Sequence, residues 1–462
     1  MRALLSTGLT LAMLLSWGGI GGGVQAGFAR TGDGAATRPL TTATPAVGTP
    51  FTFGPEQKKL LLRLEGEGIQ YFLDNQLDNG LIQDRQTNFE KSHGQYQCSL
   101  SATGMGLIAI ALASGPQFKK ISREDAIARV HKALLAAKKL PEVHGMMPHF
   151  FDPVTLKWKA PDQVSTIDSS WLIAGGLWAA QYLQDAELSE LASELYDRVD
   201  WQYWADTDTK SGAPVLSMGM GEDGKRFKST WDRINSEAAF MYVLAIGARQ
   251  HALPAEAWKA LKPYNVKVAG TDLAGGDLGL FSFQYSNDLM DLQRYPGNQI
   301  NLHDQSLRAA KANYDTCKSK AGQYRTYKHF WGLSAGDGPP AAAKSESTDS
   351  KSEDTYRAYA PGTDVDGTAH VMATLASIDV TPKLVQENID AAETLKAPKM
   401  HGRYGYSNIN LDKNWVSKDV VGIDVGVAVI ALDNELSGDE VRKLWQALPC
   451  SKRAEERLKL LK

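Results

Sequence analysis

From Glu56 onward, apolar residues recur with the period of a helix. In residues 58–75, Leu61, Leu62, Leu64, Ile69, Phe72 and Leu73 fall roughly on one face, which predicts an amphipathic helix. Ser122 opens a second such segment over 123–139, with Ile127, Val130, Leu134 and Leu135 on one side. Ser165 opens a third over 166–183, and further helices are predicted over 103–113, 186–199, 236–248, 301–318, 368–377, 381–395 and 424–434. Two kinds alternate. Residues 107–113, 172–180 and 238–246 are apolar all round, whereas 123–139 and 186–199 keep a polar face. Such alternation suits two concentric layers, with buried inner helices and outer ones wet on one side; a solenoid or bundle is also compatible. Convincing strand runs are few and no fixed-period repeat of the solenoid kind is present, so an all-α fold is expected.

Outside the periodic region the chain reads differently. Arg2 followed by the apolar run 3–15 and by Val24-Gln25-Ala26, with small residues at both key positions, predicts a signal peptide over 1–26. Residues 27–54 are rich in Gly, Ala, Thr and Pro and read as a flexible leader. One domain over 55–448 and a tail over 449–462 complete the expected organisation. Residues 339–354 hold almost only Pro, Ala, Lys, Ser, Glu and Asp, a composition that builds no core, so a mobile insert is expected there. The expected product is an exported protein, periplasmic or secreted, with no membrane span after signal removal.

Composition narrows the function classes. A hydrophobic share of 43% with 22% charged is ordinary for a globular protein, and a net charge of −3 gives no reason to expect nucleic acid as a partner. The 11 Trp and 16 Tyr tilt the reading toward carbohydrate, because their rings pair an apolar face with a polar handle. Cys98, Cys317 and Cys450 leave at least one thiol unpaired whatever the pairing. The nine His show no metal-ligand spacing, so neither a metal nor another cofactor is expected.

Three acids stand at openings of predicted helices or turns beside aromatic residues. Asp337 lies in a Gly-rich stretch directly behind His329-Phe330-Trp331, where a sharp turn would present it to a cavity. Asp168 follows Ser165 at capping-box spacing. Glu237 follows Asn235, a candidate N-cap, which would leave Glu237 in the first turn of a strongly apolar helix. Each acid taken singly fits a structural role. Burial would raise the pKa of Glu237 while a helix N-terminus would lower it, and the sequence does not decide between them. In a two-layer helical ring, however, the loops at one end of the inner helices converge on one pocket.

The ordered motifs resemble the glucoamylase-like domain family, which includes bacterial endo-β-1,2-glucanases and β-1,2-glucooligosaccharide hydrolases. The matching elements begin with Gly80-Leu81-Ile82-Gln83-Asp84-Arg85, Ser101-Ala102-Thr103-Gly104, Ile121-Ser122-Arg123 and His149-Phe150-Phe151-Asp152. Ser165-Thr166-Ile167-Asp168, Asn235-Ser236-Glu237-Ala238, the stretch 331–339 and Asp366-Gly367-Thr368 follow. Tyr404-Gly405-Tyr406, Trp415 and Gly422-Ile423-Asp424-Val425-Gly426 close the set, which spans residues 60 to 435. The resemblance implies an (α/α)6 toroid of about twelve helices and an inverting hydrolase acting on β-glucan, most of all β-1,2-glucan. It implies Glu237 as general acid and Asp168 as a sugar ligand near the cleavage point. Asp337, Asp168 and Asp424 are base candidates in that order, and Asp84, Arg85, His149, Trp331, Tyr406 and Trp415 are candidates for lining the subsites. Two positions depart from the family pattern: Trp171 stands where another acid is usual, and Val425 where a Gln is usual.

An oligo- or polysaccharide is therefore the expected partner, met by a monomer. Two other functions fit the same residues. One is a non-catalytic glucan-binding protein, motivated by Trp171 and Val425; the other is a phosphorylase or transglycosylase on the same fold.

Overall fold

The computed structural model describes residues 51–90, 96–158, 163–296, 300–340, 355–363 and 365–459. The signal, nearly all of the leader and most of the insert lie outside these residues. Among the described residues helices take 49% and strands 15%, so this part of the protein is mostly helical.

The helices alternate between wet and dry. Pro55–Asn75, Arg123–Lys139, Ala186–Asp197, Leu302–Ser319 and Pro382–Thr394 each keep an exposed side. Leu100–Ala113 and Ala239–Gly247 are buried on every side, and Thr166–Leu183, Phe281–Leu289 and Gly422–Ser437 nearly so. Each buried helix packs on the next: Leu100–Ala113 on Thr166–Leu183, that one on Ala239–Gly247, and so on through Phe281–Leu289. The short turns Val371–Thr374 and Leu375–Ser377 link the last of these to Gly422–Ser437, which returns to Leu100–Ala113.

Glycine lets two of these helices nearly touch. A Cβ on Gly104 would stand 2.2 Å from the Trp171 carbonyl oxygen, and one on Gly175 would stand 1.9 Å from the Gly104 carbonyl oxygen. Backbones at that distance exclude any side chain, which brings Ser101 and Asp168, near the two N-termini, to one place.

Most predicted helices form close to their expected bounds, with Ser122, Ser165 and Asn301 capping through their side chains. Four differences have physical causes. Among the described residues, eight two-stranded antiparallel ladders of two to four residues per strand join the loops; runs that short carry no readable period. The Phe281–Leu289 helix was not foreseen, because its sequence is polar and short yet buried. The tail read from 449 is the helix Pro449–Lys459, which packs against Ala239–Gly247 and buries Cys450, Ala454 and Leu458. The Gly-rich stretch around Asp337 is no turn but the strand Ala335–Gly338, paired with Thr355–Ala358. Its glycines serve close approach: a Cβ on Gly338 would overlap the Tyr359 hydroxyl and one on Gly336 would press on the His370 ring.

No helix among the described residues is long and apolar enough to cross a membrane. All three cysteines are buried free thiols.

Candidate active site

Asp168, Glu237 and Asp424 lie in or just ahead of the first turns of buried helices, which gather them at one end of the helical body. Asp168 does more than finish a helix. The Ser165 hydroxyl caps the Asp168 N–H at 3.3 Å, but the Asp168 carboxylate turns away from the backbone. It accepts hydrogen bonds from the Ser101 and Ser165 hydroxyls and faces His149 Nε2 at 3.4 Å. His149 in turn stacks on Phe150, with ring centroids 3.6 Å apart. These contacts fix Asp168 in the wall of a pocket that His149, Trp171, Trp231, Glu237 and Tyr285 also line. Non-atom space inside its walls, counted to the open mouth, is about 690 Å³. That suits a small-molecule or sugar site.

Glu237 precedes its helix instead of opening it, because the helix begins at Ala239. Asn235 is not the cap: it adopts a left-handed φ of 52°, and the Ser236 hydroxyl accepts from the Ala238 N–H at 3.3 Å. Ser286 pins this turn by donating its hydroxyl to the carbonyls of Glu237 at 2.9 Å and Ser236 at 3.2 Å. The backbone is thus held while the carboxyl group meets no hydrogen-bond donor among the described residues. Burial, helped by the charge of Asp168, raises its pKa from 4.5 to about 8. Desolvation therefore outweighs the helix N-terminus.

A second group of acids sits beside the pocket. The strand Arg85–Thr87 pairs with Asp419–Val421, and the Gly422 N–H donates to the Asp84 carbonyl at 2.7 Å, so Asp84, Arg85 and Asp424 are neighbours. Arg85 Nη1 bonds both Asp337 carboxylate oxygens, at 3.2 and 3.0 Å, and Asp337 is buried. Burial alone would lower the pKa of Arg85, but Asp337, Asp84 and Asp419 hold it above its usual value. Asp84 is pushed up by burial, against the pull of Arg85 and His149. Asp424 is raised to about 8, first by burial and then by the charges of Asp337 and Asp84, with Arg85 opposing. No hydrogen bond holds the Asp424 carboxyl group among the described residues.

The structure thus brings together seven of the ten candidates: Asp168, Glu237 and His149 in the pocket, Asp84, Arg85, Asp337 and Asp424 beside it. The three aromatic candidates stand elsewhere. Trp331 is buried in the core, its indole N–H donating to the Leu384 carbonyl at 3.0 Å, so no face is left for a sugar. Tyr406 is buried on the hairpin 401–406 with its hydroxyl on Glu393 at 2.9 Å. Trp415 is half-buried in the ladder Ile409–Asn410 with Trp415–Val416 and is not among the pocket-lining residues. The aromatic walls are instead Trp171, Trp231, Phe281 and Tyr285. Phe281 and Tyr285 lie on the helix that periodicity misses, and no signal in the sequence singles them out. Of the two departures from the family pattern, Trp171 lines the pocket, whereas Val425 faces Gly68 on the Pro55–Asn75 helix.

Comparison with known proteins agrees with the motifs. Residues 228–448 match the Glycoamylase family model, whose description is "Putative glucoamylase". A curated relative, the exo β-1,2-glucooligosaccharide sophorohydrolase (non-reducing end) of Parabacteroides distasonis, is 23% identical over 382 residues, covering 72% of this chain. The match spans about half, 49%, of that relative's length. The fold is shared with the endo-β-1,2-glucanase of Chitinophaga pinensis at TM-score 0.73 and 22% identity, over 87% of this chain and 98% of that one. It is shared equally with a β-1,2-glucanase from Parabacteroides distasonis, at TM-score 0.73 and 20% identity over 89% and 61% of the two chains.

Proposed function

We propose that this chain is a glycoside hydrolase that cleaves β-glucan, and β-1,2-glucan before other linkages, by an inverting mechanism. One observation carries the reading: of the five acids gathered here, Asp84, Asp168 and Asp337 are bonded to neighbouring side chains, whereas Glu237 and Asp424 are free. Asp168 and Asp337 spend their oxygens on Ser101, Ser165 and Arg85. Glu237 and Asp424 have no donor and both hold their proton to about pH 8. A general acid must be protonated at working pH and free to hand its proton over, and Glu237 meets both needs. A base must be ionised, and near pH 8 a share of the molecules carries an ionised Asp424 beside a protonated Glu237; that carboxylate, with its raised pKa, is the stronger base, which moves Asp424 ahead of Asp337 and Asp168. Glu237 would protonate the leaving oxygen while water, activated from the Asp424 side, attacks the opposite face of the sugar. Asp168 and His149 would hold the sugar between them.

The alternation of buried and half-wet helices, with each buried helix packed on the next, supports an (α/α)6 toroid whose inner helices point their N-termini at the pocket. The relatives' names support the β-1,2 linkage. The signal-like segment ending at Val24-Gln25-Ala26 supports export to the periplasm or medium. Neither departure from the family pattern disables the pair, since Val425 faces away and Trp171 is an apolar wall, so hydrolysis is preferred over binding alone. Phosphorolysis would need a cation free to bind phosphate, and Arg85 is already committed to Asp337 and Asp84.

Incubation with a panel of linear β-glucans differing only in linkage tests the proposal. Chains of β-1,2-glucan should shorten fastest. Binding without shortening would leave the non-catalytic alternative, and turnover that requires phosphate would make the enzyme a phosphorylase.

A further inference from the structure

Close to the free acids stands a phenol. Tyr285 lines the pocket together with Glu237 and Asp168, while Asp424 does not; only its neighbour Ile423 reaches the wall. A base set behind the wall needs an intermediary to reach a water inside it. Tyr285 is 4% exposed, lies in the electrostatic reach of Asp424, Glu237 and Asp168, and has no hydrogen-bond partner for its hydroxyl among the described residues. The ring is held firmly even though the hydroxyl is not. Trp171 meets it edge-on at 5.8 Å and Phe281 lies 5.6 Å away on its own helix. The same helix carries Ser286, which fixes the Glu237 turn. Tyr285 and the acid are therefore set on one frame. Its hydroxyl, unbonded within the protein, is open to the pocket, where a bound molecule or water can complete it.

We propose that Tyr285 is the relay between the attacking water and Asp424, a role that rests on the hydrolase reading above. As the water oxygen forms its bond to the anomeric carbon, one water proton passes to the Tyr285 oxygen. The Tyr285 proton passes at the same time to the Asp424 carboxylate, so the phenol ends neutral. The bond from the anomeric carbon to the glycosidic oxygen breaks, and that oxygen takes the proton of Glu237. One water is consumed, two hydroxyl-ended sugars leave, and solvent later moves the proton from Asp424 back to Glu237.

Tyr285→Phe removes only the hydroxyl. Because that hydroxyl bonds nothing in the protein, Tm should hold, and KM for β-1,2-glucan should change little. kcat should fall on the order of 10²–10⁴-fold, the scale of lost acid–base assistance. Azide attacks without giving up a proton, so it should restore turnover in Tyr285→Phe, with a glycosyl azide of inverted configuration as product, and should not accelerate the wild type. A variant with near-normal kcat overturns the relay while leaving the hydrolase intact. So does a loss that azide leaves unrescued. A wild type that shortens no β-glucan instead overturns the hydrolase reading, and the relay with it.

Discussion

Replacing Glu237 by Gln should make the protein less active and more stable, and the two effects have one cause. The carboxyl group is kept dry by its pocket and repelled by Asp168, which lifts its pKa from 4.5 to about 8. An acid whose pKa rises on folding weakens the folded state at any pH above its unfolded pKa. The penalty starts near pH 4.5, grows with pH and is complete just above 8. At pH 7 the interval from 4.5, at about 1.36 kcal/mol per pH unit, gives about 3 kcal/mol. At pH 5 it is below about 1 kcal/mol. Gln carries no proton to lose, keeps the shape, and so relieves the penalty at pH 7 while removing the group that would protonate the leaving oxygen. Urea unfolding of both proteins at pH 5 and pH 7 reads the stability, with midpoints that separate only at the higher pH. Steady-state hydrolysis of β-1,2-glucan reads the function, with kcat expected to fall on the order of 10²–10⁴-fold. Near-normal turnover in a folded Glu237→Gln protein would refute the acid assignment. Equal stability differences at pH 5 and pH 7 would refute the claim that Glu237 is held protonated.

Asp337→Asn should leave an active enzyme whose kcat/KM holds to lower pH. If Asp424 is the base it must be ionised, so activity falls as pH drops through its pKa; removing the Asp337 charge lowers that pKa and moves the acid limb to lower pH. Abolished activity at every pH would instead make Asp337 the base. Trp331→Ala should lower stability by about 3–5 kcal/mol in urea unfolding, as for a buried Trp, while kcat per folded molecule stays unchanged. A fall in kcat at unchanged stability would return Trp331 to the sugar-binding wall.

How far the sequence carries depends on whether a feature is local. Helices with a long periodic face, such as Arg123–Lys139, were legible with their caps, because capping and amphipathicity are written within one turn of the residues they affect. Phe281–Leu289 was not, since nine residues led by Phe-Ser-Phe-Gln-Tyr-Ser show no helical stripe; burial by its neighbours makes that helix, and no local signal reports it. The acids were found because each stands beside a motif. Their roles were not legible, because whether a carboxylate is free or locked depends on partners such as Arg85 and Ser101, far away along the chain. Aromatics were the weakest guide. Trp331 and Tyr406 sit in motifs yet serve the core, whereas Tyr285 sits in none and faces the pocket. Nothing in the local sequence distinguishes a ring that fills a core from one that lines a cavity.

In the proposed mechanism Glu237 gives its proton to the leaving oxygen while water lands on the opposite face of the sugar. Proton NMR of the first reducing ends released from linear β-1,2-glucan tests this most directly, before mutarotation mixes the anomers. The α anomer should appear first and relax toward the equilibrium mixture. First appearance of the β anomer would contradict the account, because retention requires a covalent intermediate on a carboxylate in place of attack by water.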